Sequence, residues 1–305
     1  MDGIVTGAPD VLRWDCAQNR GKRSGVVNRM LACVLLFALT ACGSLPGLSS
    51  GTKTPVSVPA AAGNLHAREV RGGSALTLDG EEEFVVRIVS DGTTCSGTLI
   101  SSSLVLTAHH CVSVHDASGR ILPTNMNASE LTVEVGSGHF PSAESSVRTI
   151  VTPSCGYAAG VGDLAILVLG EPISGVRTLQ PTLDREPRDG DEVSHVGFGR
   201  CALSDDGIYL KHRAAGRVDL VSEAAFRVTV PLCPGDSGGP VILHRSGELI
   251  GVVSAGAMDG DESTPDRVEF ARLDAFRTLF ATAARVVQGT ALSELPPVDC
   301  RGRDR

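Results

Sequence analysis

The chain breaks its apolar residues into short runs, and that pattern limits its fold more than any other feature. The runs fall at residues 84–89, 98–100, 104–107, 131–135, 164–169, 193–196, 226–230, 241–243 and 249–254. Most are about four to eight residues long, rich in Val, Ile and Leu, and bounded by Gly, Ser, Asp or Pro, which is how strands between turns read. Helical spacing is strong only in 273–287, where Leu273, Phe276, Phe280, Ala283 and Val287 recur on one face. Asp274 can cap the start of that segment, and Gly289 lies just past its end. Many short strands and one late helix point to an all-β sandwich or barrel.

The 305 residues suffice for one large domain or two modest ones. With 42% hydrophobic and 20% charged residues, a wholly disordered chain is excluded. A net charge of −8 without a basic stripe leaves nucleic-acid binding no electrostatic footprint. No run of about 18 apolar residues occurs, so no ordinary membrane-spanning helix is expected.

The first part of the chain reads as a targeting segment. Lys22, Arg23 and Arg29 precede twelve apolar or near-apolar residues, 30–41 (MLACVLLFALTA). Positive charge, a short apolar core and small residues at its end describe an export signal, too short to span a bilayer as an ordinary helix. Leu39-Thr40-Ala41-Cys42-Gly43-Ser44 resembles the lipobox of bacterial lipoproteins, which implies a lipid on Cys42 as the sole membrane attachment. Residues 1–21 read as an over-long start, with translation beginning nearer Val26, Val27 or Met30. The expected organisation is therefore signal peptide to 41, a Ser/Pro/Gly-rich tether or propeptide over 42–69, a folded domain over 70–288 and a tail over 289–305. Such a protein is exported, and either stays at a bacterial cell envelope or is released outside the cytoplasm.

Nine cysteines agree with export. Cys16 and Cys33 fall in the removed segment and Cys42 is the lipid site, leaving Cys95, Cys111, Cys155, Cys201, Cys233 and Cys300. Six cysteines in an exported chain suit three disulfides, although six allow 15 pairings. None of them forms a Cys-x-x-Cys, so no zinc site is expected.

Three motifs carry chemistry. In CPGDSGGP (233–240) a Ser stands among glycines, whose backbones admit a close approach by substrate. The N–H groups of Gly235 and Ser237 can there aim at one oxygen. In LVLTAHHC (104–111) a strand ends in a His beside Cys111. Pairing of Cys111 with Cys95 would pin that turn and fix an imidazole for general-base work. In GDLAIL (162–167) Asp163 opens an apolar strand, and an Asp buried there needs a donor such as an imidazole N–H.

Together these motifs resemble the trypsin/chymotrypsin family of serine endopeptidases, in the order His, Asp, Ser. TAHHC stands where the family has TAAHC, GDLAIL where it has DIALL, and GDSGGP is intact. The resemblance covers roughly 70–288 and implies two packed six-stranded antiparallel β-barrels with a C-terminal helix. It implies a triad of His110, Asp163 and Ser237, an oxyanion hole of Gly235 and Ser237, and no metal or organic cofactor. His109 replaces an Ala and reads as a bystander. Gly197-Phe198-Gly199 looks like the family's GWG turn. Ser254-Ala255-Gly256 looks like its SWG edge strand, which binds substrate backbone in β fashion. Partners are then protein or peptide substrates, with an activating protease where a zymogen is made, and a monomer is expected.

The departures shape what else the resemblance implies. Trypsin-like members carry an Asp six residues before the nucleophile, where this chain has Pro231. Val268 falls on a wall of the same pocket and Gly256 at its mouth, so a small or medium apolar residue is expected on the acyl side of the cut, with an acidic one as the alternative through His195 or Arg267. The family's Cys between SWG and the final helix is missing. Cys201 is then the candidate partner of Cys233, which leaves Cys155 with Cys300. Val70-Arg71-Gly72-Gly73 lies where the family's new N-terminus arises, its ammonium pairing with Asp236, although Glu69 precedes it instead of Arg. The acidic segment 256–266 reads as a solvated loop. A silent, surface-tethered binding module on a protease scaffold is the alternative, but all four catalytic positions are kept.

Overall fold

The computed structural model describes residues 75–76, 82–90, 93–118, 120–137, 140–154, 162–200, 210–257 and 266–299. In chain order the strands are β1 (Ala75–Leu76), β2 (Val85–Ser90), β3 (Thr93–Ser101), β4 (Leu104–Thr107), β5 (Ser113–His115) and β6 (Ile121–Asn125). They continue as β7 (Thr132–Val135), β8 (Ala143–Val151), β9 (Ala165–Leu169), β10 (Glu192–Gly197), β11 (His212–Val221) and β12 (Ala225–Val230). The last are β13 (Pro240–Leu243), β14 (Leu249–Ala257) and β15 (Asp266–Arg272), followed by the helix α1 (Arg277–Val287).

These strands form two closed antiparallel barrels. The first runs β2-β3-β4-β9-β8-β7. The second runs β11-β10-β13-β14-β15-β12, closes through β11–β12, and carries β1 on β11. Closure removes the exposed edges that make open sheets prone to misassociation. β4 and β9 are buried along nearly their whole length, so their sequences are unbroken apolar runs. β8, β11 and β15 instead alternate charged and apolar residues, because one face of each looks outward. In β8, Ser145, Val147 and Ile150 are buried while Glu144, Ser146 and Arg148 are exposed.

Each barrel has its own core. Leu99, Leu106, Leu131 and Ile166 fill the first, and Val228, Val241, Val253 and Phe270 the second. A third cluster joins them: Phe84 and Val85 from the first barrel against Val196, Phe198 and Ile242 from the second. The Arg87 guanidinium lies 5.5 Å over the Phe198 ring and pairs with Glu134 at 3.2 Å.

The C-terminal helix differs from its expected form at the start. Residues 274–276 make a 3₁₀ turn, and α1 begins only at Arg277. Asp274 does not cap it; its carboxylate receives the Arg272 guanidinium at 3.1 and 2.6 Å. The tighter turn shifts the phase of the buried stripe. Phe276, Leu279, Ala283 and Val286 are buried, while Phe280 is only half-buried and Val287 is exposed. Gly289 past the end takes φ +101°, as a helix stop requires. Beyond it, Leu295 and Val298 are also buried against the first barrel's core. Among the described residues no helix is long and apolar enough to cross a membrane.

Candidate active site

The first half of the site grows from the β4–β9 pair. Thr107 stands opposite Ala165 in their antiparallel register. Continuing that register past the strand ends brings the turn after β4 to Asp163 just before β9. The turn is a 3₁₀ segment, His109–Val112, tied down by the Cys95–Cys111 disulfide. Asp163 is fully buried and accepts three hydrogen bonds. The His110 backbone N–H donates to Oδ1 at 2.9 Å, His110 Nδ1 meets Oδ2 at 2.8 Å, and Ser254 Oγ donates to Oδ2 at 2.5 Å. Burial raises the Asp163 pKa, but the charge and hydrogen bonds of His110 and the Ser254 hydroxyl hold it below the usual carboxylate range. An ionised Asp163 therefore keeps the proton of His110 on Nδ1 and leaves Nε2 as the basic nitrogen.

His109 points elsewhere. It is buried, with Nε2 2.7 Å from Asn125 Oδ1 on the β5–β6 hairpin, and burial lowers its pKa. It anchors the hairpin to the turn that carries His110.

The second half is the loop 233–239. Gly235 takes φ +108° and Gly238 φ +83°, conformations that a Cβ resists. A side chain at Gly238 would also collide with the Thr107 side chain and the Ser96 carbonyl. Ser96, from β3 of the first barrel, clamps this loop. Its N–H donates to the Ser237 carbonyl at 2.8 Å and its hydroxyl to the Gly235 carbonyl at 2.8 Å. The same hydroxyl accepts the Phe198 N–H at 2.9 Å. One buried serine thus joins both barrels and the loop. Among the described residues the N–H groups of Gly235 and Ser237 find no acceptor, so both stay available. The Ser237 carbonyl oxygen and His110 Nε2 lie 3.6 and 3.7 Å from the same Cys111 Sγ, which places the two halves side by side.

Asp236 points inward. Its Oδ1 accepts the Gly199 N–H and its Oδ2 the Cys233 N–H, both at 2.9 Å, and His212 Nε2 lies 3.2 Å from Oδ2. Both side chains are fully buried. Burial lowers the His212 pKa, yet the hydrogen bond and charge of Asp236 and the Leu210 carbonyl raise it further, for a net rise. Burial raises that of Asp236, and His212, His195 and the Cys233 N–H together bring it down. Cys233 is disulfide-bonded, to a cysteine outside the described residues. Val70, Cys42, Cys155, Cys201 and Cys300 also lie outside them, as does the acidic stretch 258–265.

The remaining site residues line β14, β15 and the run before the loop. Ser254 gives its side chain to Asp163, leaving its backbone to the strand. On β15, Ala255 pairs with Glu269 and Gly256 with Val268, past a bulge at Ser254, and among the described residues no strand pairs with their other edge. Val268 is fully buried. Pro231 is half-buried, its carbonyl held by His195 Nε2 at 2.8 Å. Burial pushes the His195 pKa down, and its ring is tilted against that of Phe270 with centroids 6.3 Å apart. Two groups of ligand-type atoms, Cys95–His110–Cys111 and His212–Cys233–Asp236, do not fit a metal, because their sulfurs are consumed in disulfides.

A family model described as Trypsin matches residues 72–275. The chain belongs to the trypsin family. Its relatives include the cercarial protease of Schistosoma mansoni, 29% identical over 61% of this chain and 80% of that protein. Chymotrypsin-C of Rattus norvegicus is 28% identical over 81% of this chain and 96% of its own length. Snake venom serine protease KN1 of Trimeresurus stejnegeri is 26% identical over 65% and 80%.

Several site residues carry no signal in the trypsin-family motifs. Ser96 sits in plain view between Cys95 and Gly97, but only the fold shows that its hydroxyl spans two barrels. His212 and Glu269 lie in strands that read as ordinary charged-and-apolar alternation.

Proposed function

We propose that this protein is a serine endopeptidase. Ser237 attacks the peptide carbonyl while His110 Nε2 takes its proton. Asp163 keeps the imidazole oriented and stabilises its charged form. The carbonyl oxygen becomes an oxyanion held by the N–H groups of Gly235 and Ser237. The tetrahedral intermediate expels the amine, to which His110 returns the proton, leaving an acyl group on Ser237. Water, deprotonated by His110, then releases the acid and restores the hydroxyl. The observation that carries this reading is the His110 ring held by the buried Asp163 and seated on the sulfur that also contacts the Ser237 carbonyl.

The specificity follows from the pocket's chemistry. Pro231 supplies no charge and Val268 supplies methyl groups, so a basic side chain would lose hydration without gaining a partner. A small or medium apolar residue on the acyl side is the reading we favour. We also infer export with a lipid on Cys42 and the stretch 42–69 as tether. In the intact chain His212 already occupies Asp236, so an N-terminal ammonium created at Val70 would have to share or displace it.

Labelling with a fluorophosphonate tests the reaction class: parent protein is expected to label on Ser237, and Ser237→Ala, His110→Ala and Asp163→Asn to lose most peptide hydrolysis while staying folded. Full hydrolysis by Ser237→Ala would overturn it. A panel of peptides with Ala, Val, Leu, Phe, Lys or Arg in the pocket position reads the specificity, and preference for Lys or Arg would strike it. The mass of the N-terminal peptide of active enzyme reports both the lipid and any cut before Val70.

A further inference from the structure

We propose that Glu269 is a specificity residue that selects Lys or Arg immediately upstream of the substrate residue held in the pocket, an inference that rests on the endopeptidase reading. Cross-strand partners share a face of a sheet. In the second barrel one row runs Ala255, Glu269, Arg227 and Leu220. The neighbouring row runs Gly256, Val268, Val228 and Val218. Val268, Val228 and Val218 are buried, so that row faces the barrel interior and the pocket. The Ala255 row faces the other way, with Ala255, Glu269 and Arg227 half-buried and Leu220 exposed.

A substrate that extends β14 along residues 254–256 obeys the same alternation. Its residue in the pocket lies on the Val268 side, and the residue before it therefore lies on the Ala255 side. That residue and Glu269 are two strands apart, about 10 Å between backbones. A Glu side chain and a Lys or Arg side chain together bridge that gap if nothing stands between them. What stands between them is Ala255, whose methyl is too small to cover the carboxylate.

Glu269 also lacks a cation of its own. Among the described residues no hydrogen bond or ion pair closes on it. Its cross-strand neighbour Arg227 turns instead to Asp219, with Nε 2.7 Å from Oδ1, and Thr229 Oγ1 adds a second contact to that carboxylate at 3.1 Å. Partial burial and the charge of Asp163 both raise the Glu269 pKa, and the charge of Arg227 offsets this only in part. Register places Glu269 opposite Ala255, the residue after the Ser254 that donates to Asp163. A half-buried carboxylate in that place gains most from a cation brought by the substrate.

The test uses two peptides with the same residue in the pocket and either Arg or Ala immediately before it. The parent protein is expected to show a kcat/KM about tenfold higher for the Arg peptide. In Glu269→Gln the Arg-to-Ala ratio is expected to fall to about one, and Glu269→Asp should recover part of it. The proposal is overturned if the parent shows no Arg preference, or if Glu269→Gln keeps it while still labelling with fluorophosphonate. Cleavage of neither peptide together with failure to label would overturn the endopeptidase reading itself.

Discussion

Asp236 and His212 show how much of the loop's shape hangs on single side chains. A buried carboxylate without a partner is costly, and here it has two backbone N–H groups and one imidazole. The bonds to Gly199 and Cys233 fix the backbone on either side of Gly235 and Ser237. Removing the imidazole by His212→Gln is expected to destabilise the fold by about 3 kcal/mol at pH 5, the scale for breaking a buried pair. The sign with pH follows from the two shifts. His212 is raised above its ordinary 6.5, so its contribution is complete below that value and fades as pH rises through the folded value. Asp236 is lowered below 3.8, so its contribution is present above that value and fades only as pH falls through the folded one. The stability gap between parent and variant should therefore be widest between about pH 4 and 6.5 and shrink in alkali. Urea denaturation at pH 5, 7 and 9 measures it, and a gap independent of pH would refute the pairing. Nothing in the sequence around His212 announces this role. The strand HRAAGRVDLV reads as surface alternation, and the partner of Asp236 becomes visible only when β10 and β11 close over the loop.

Among the elements, those buried on both faces were the plainest to read, and β7 and β12, each with an outward face, still read as runs. β4, β9, β13 and the first part of β14 are apolar runs, and the motifs that end or begin them carry His110, Asp163 and Ser237. β8, β11 and β15 were not legible, because half of each faces outward and their charges mask the apolar period of two. β15 is the instructive case: Arg267, Glu269 and Arg272 hide a strand that holds both Val268 and Glu269. The helix was legible in kind but not in phase, since a 3₁₀ turn precedes it. At this scale the turn His109–Val112 carries the most function, and the Cys95–Cys111 link closes a loop with a sequence separation of 16. Replacing both cysteines with Ala is expected to lower stability by about 3 kcal/mol, mainly by freeing the unfolded chain. Because the same sulfur sits against His110 and Ser237, activity should fall further than the loss of folded protein explains. Urea midpoints and hydrolysis per folded molecule separate the two effects, and a double variant with parental activity per folded molecule would show that the link only stabilises.

On the scale of the whole molecule, the proposed chemistry would be divided between the barrels. The first supplies His110, Asp163 and Ser96, and the second supplies Ser237, Gly235 and Ser254. Neither barrel holds the whole of the proposed site, so under that proposal the joint between them is part of the machinery. Phe198 is the second barrel's aromatic side chain in that joint and is fully buried, while its own backbone N–H donates to Ser96 and its neighbour Gly199 donates to Asp236. Phe198→Ala should therefore do two things: lower stability by about 3–5 kcal/mol, as for other buried aromatics, and loosen the register of one barrel on the other. Leu279→Ala offers the control. Leu279 is also fully buried, but it packs α1 onto the first barrel, away from the joint, and its loss should cost about 2–5 kcal/mol. At a temperature where both variants remain folded, hydrolysis per folded molecule should drop at least several-fold in Phe198→Ala and stay near the parental value in Leu279→Ala. Equal activity in the two would mean that the site keeps its geometry without a tight joint, and that the hydrogen bonds of Ser96 and Ser254 alone hold the two halves in place.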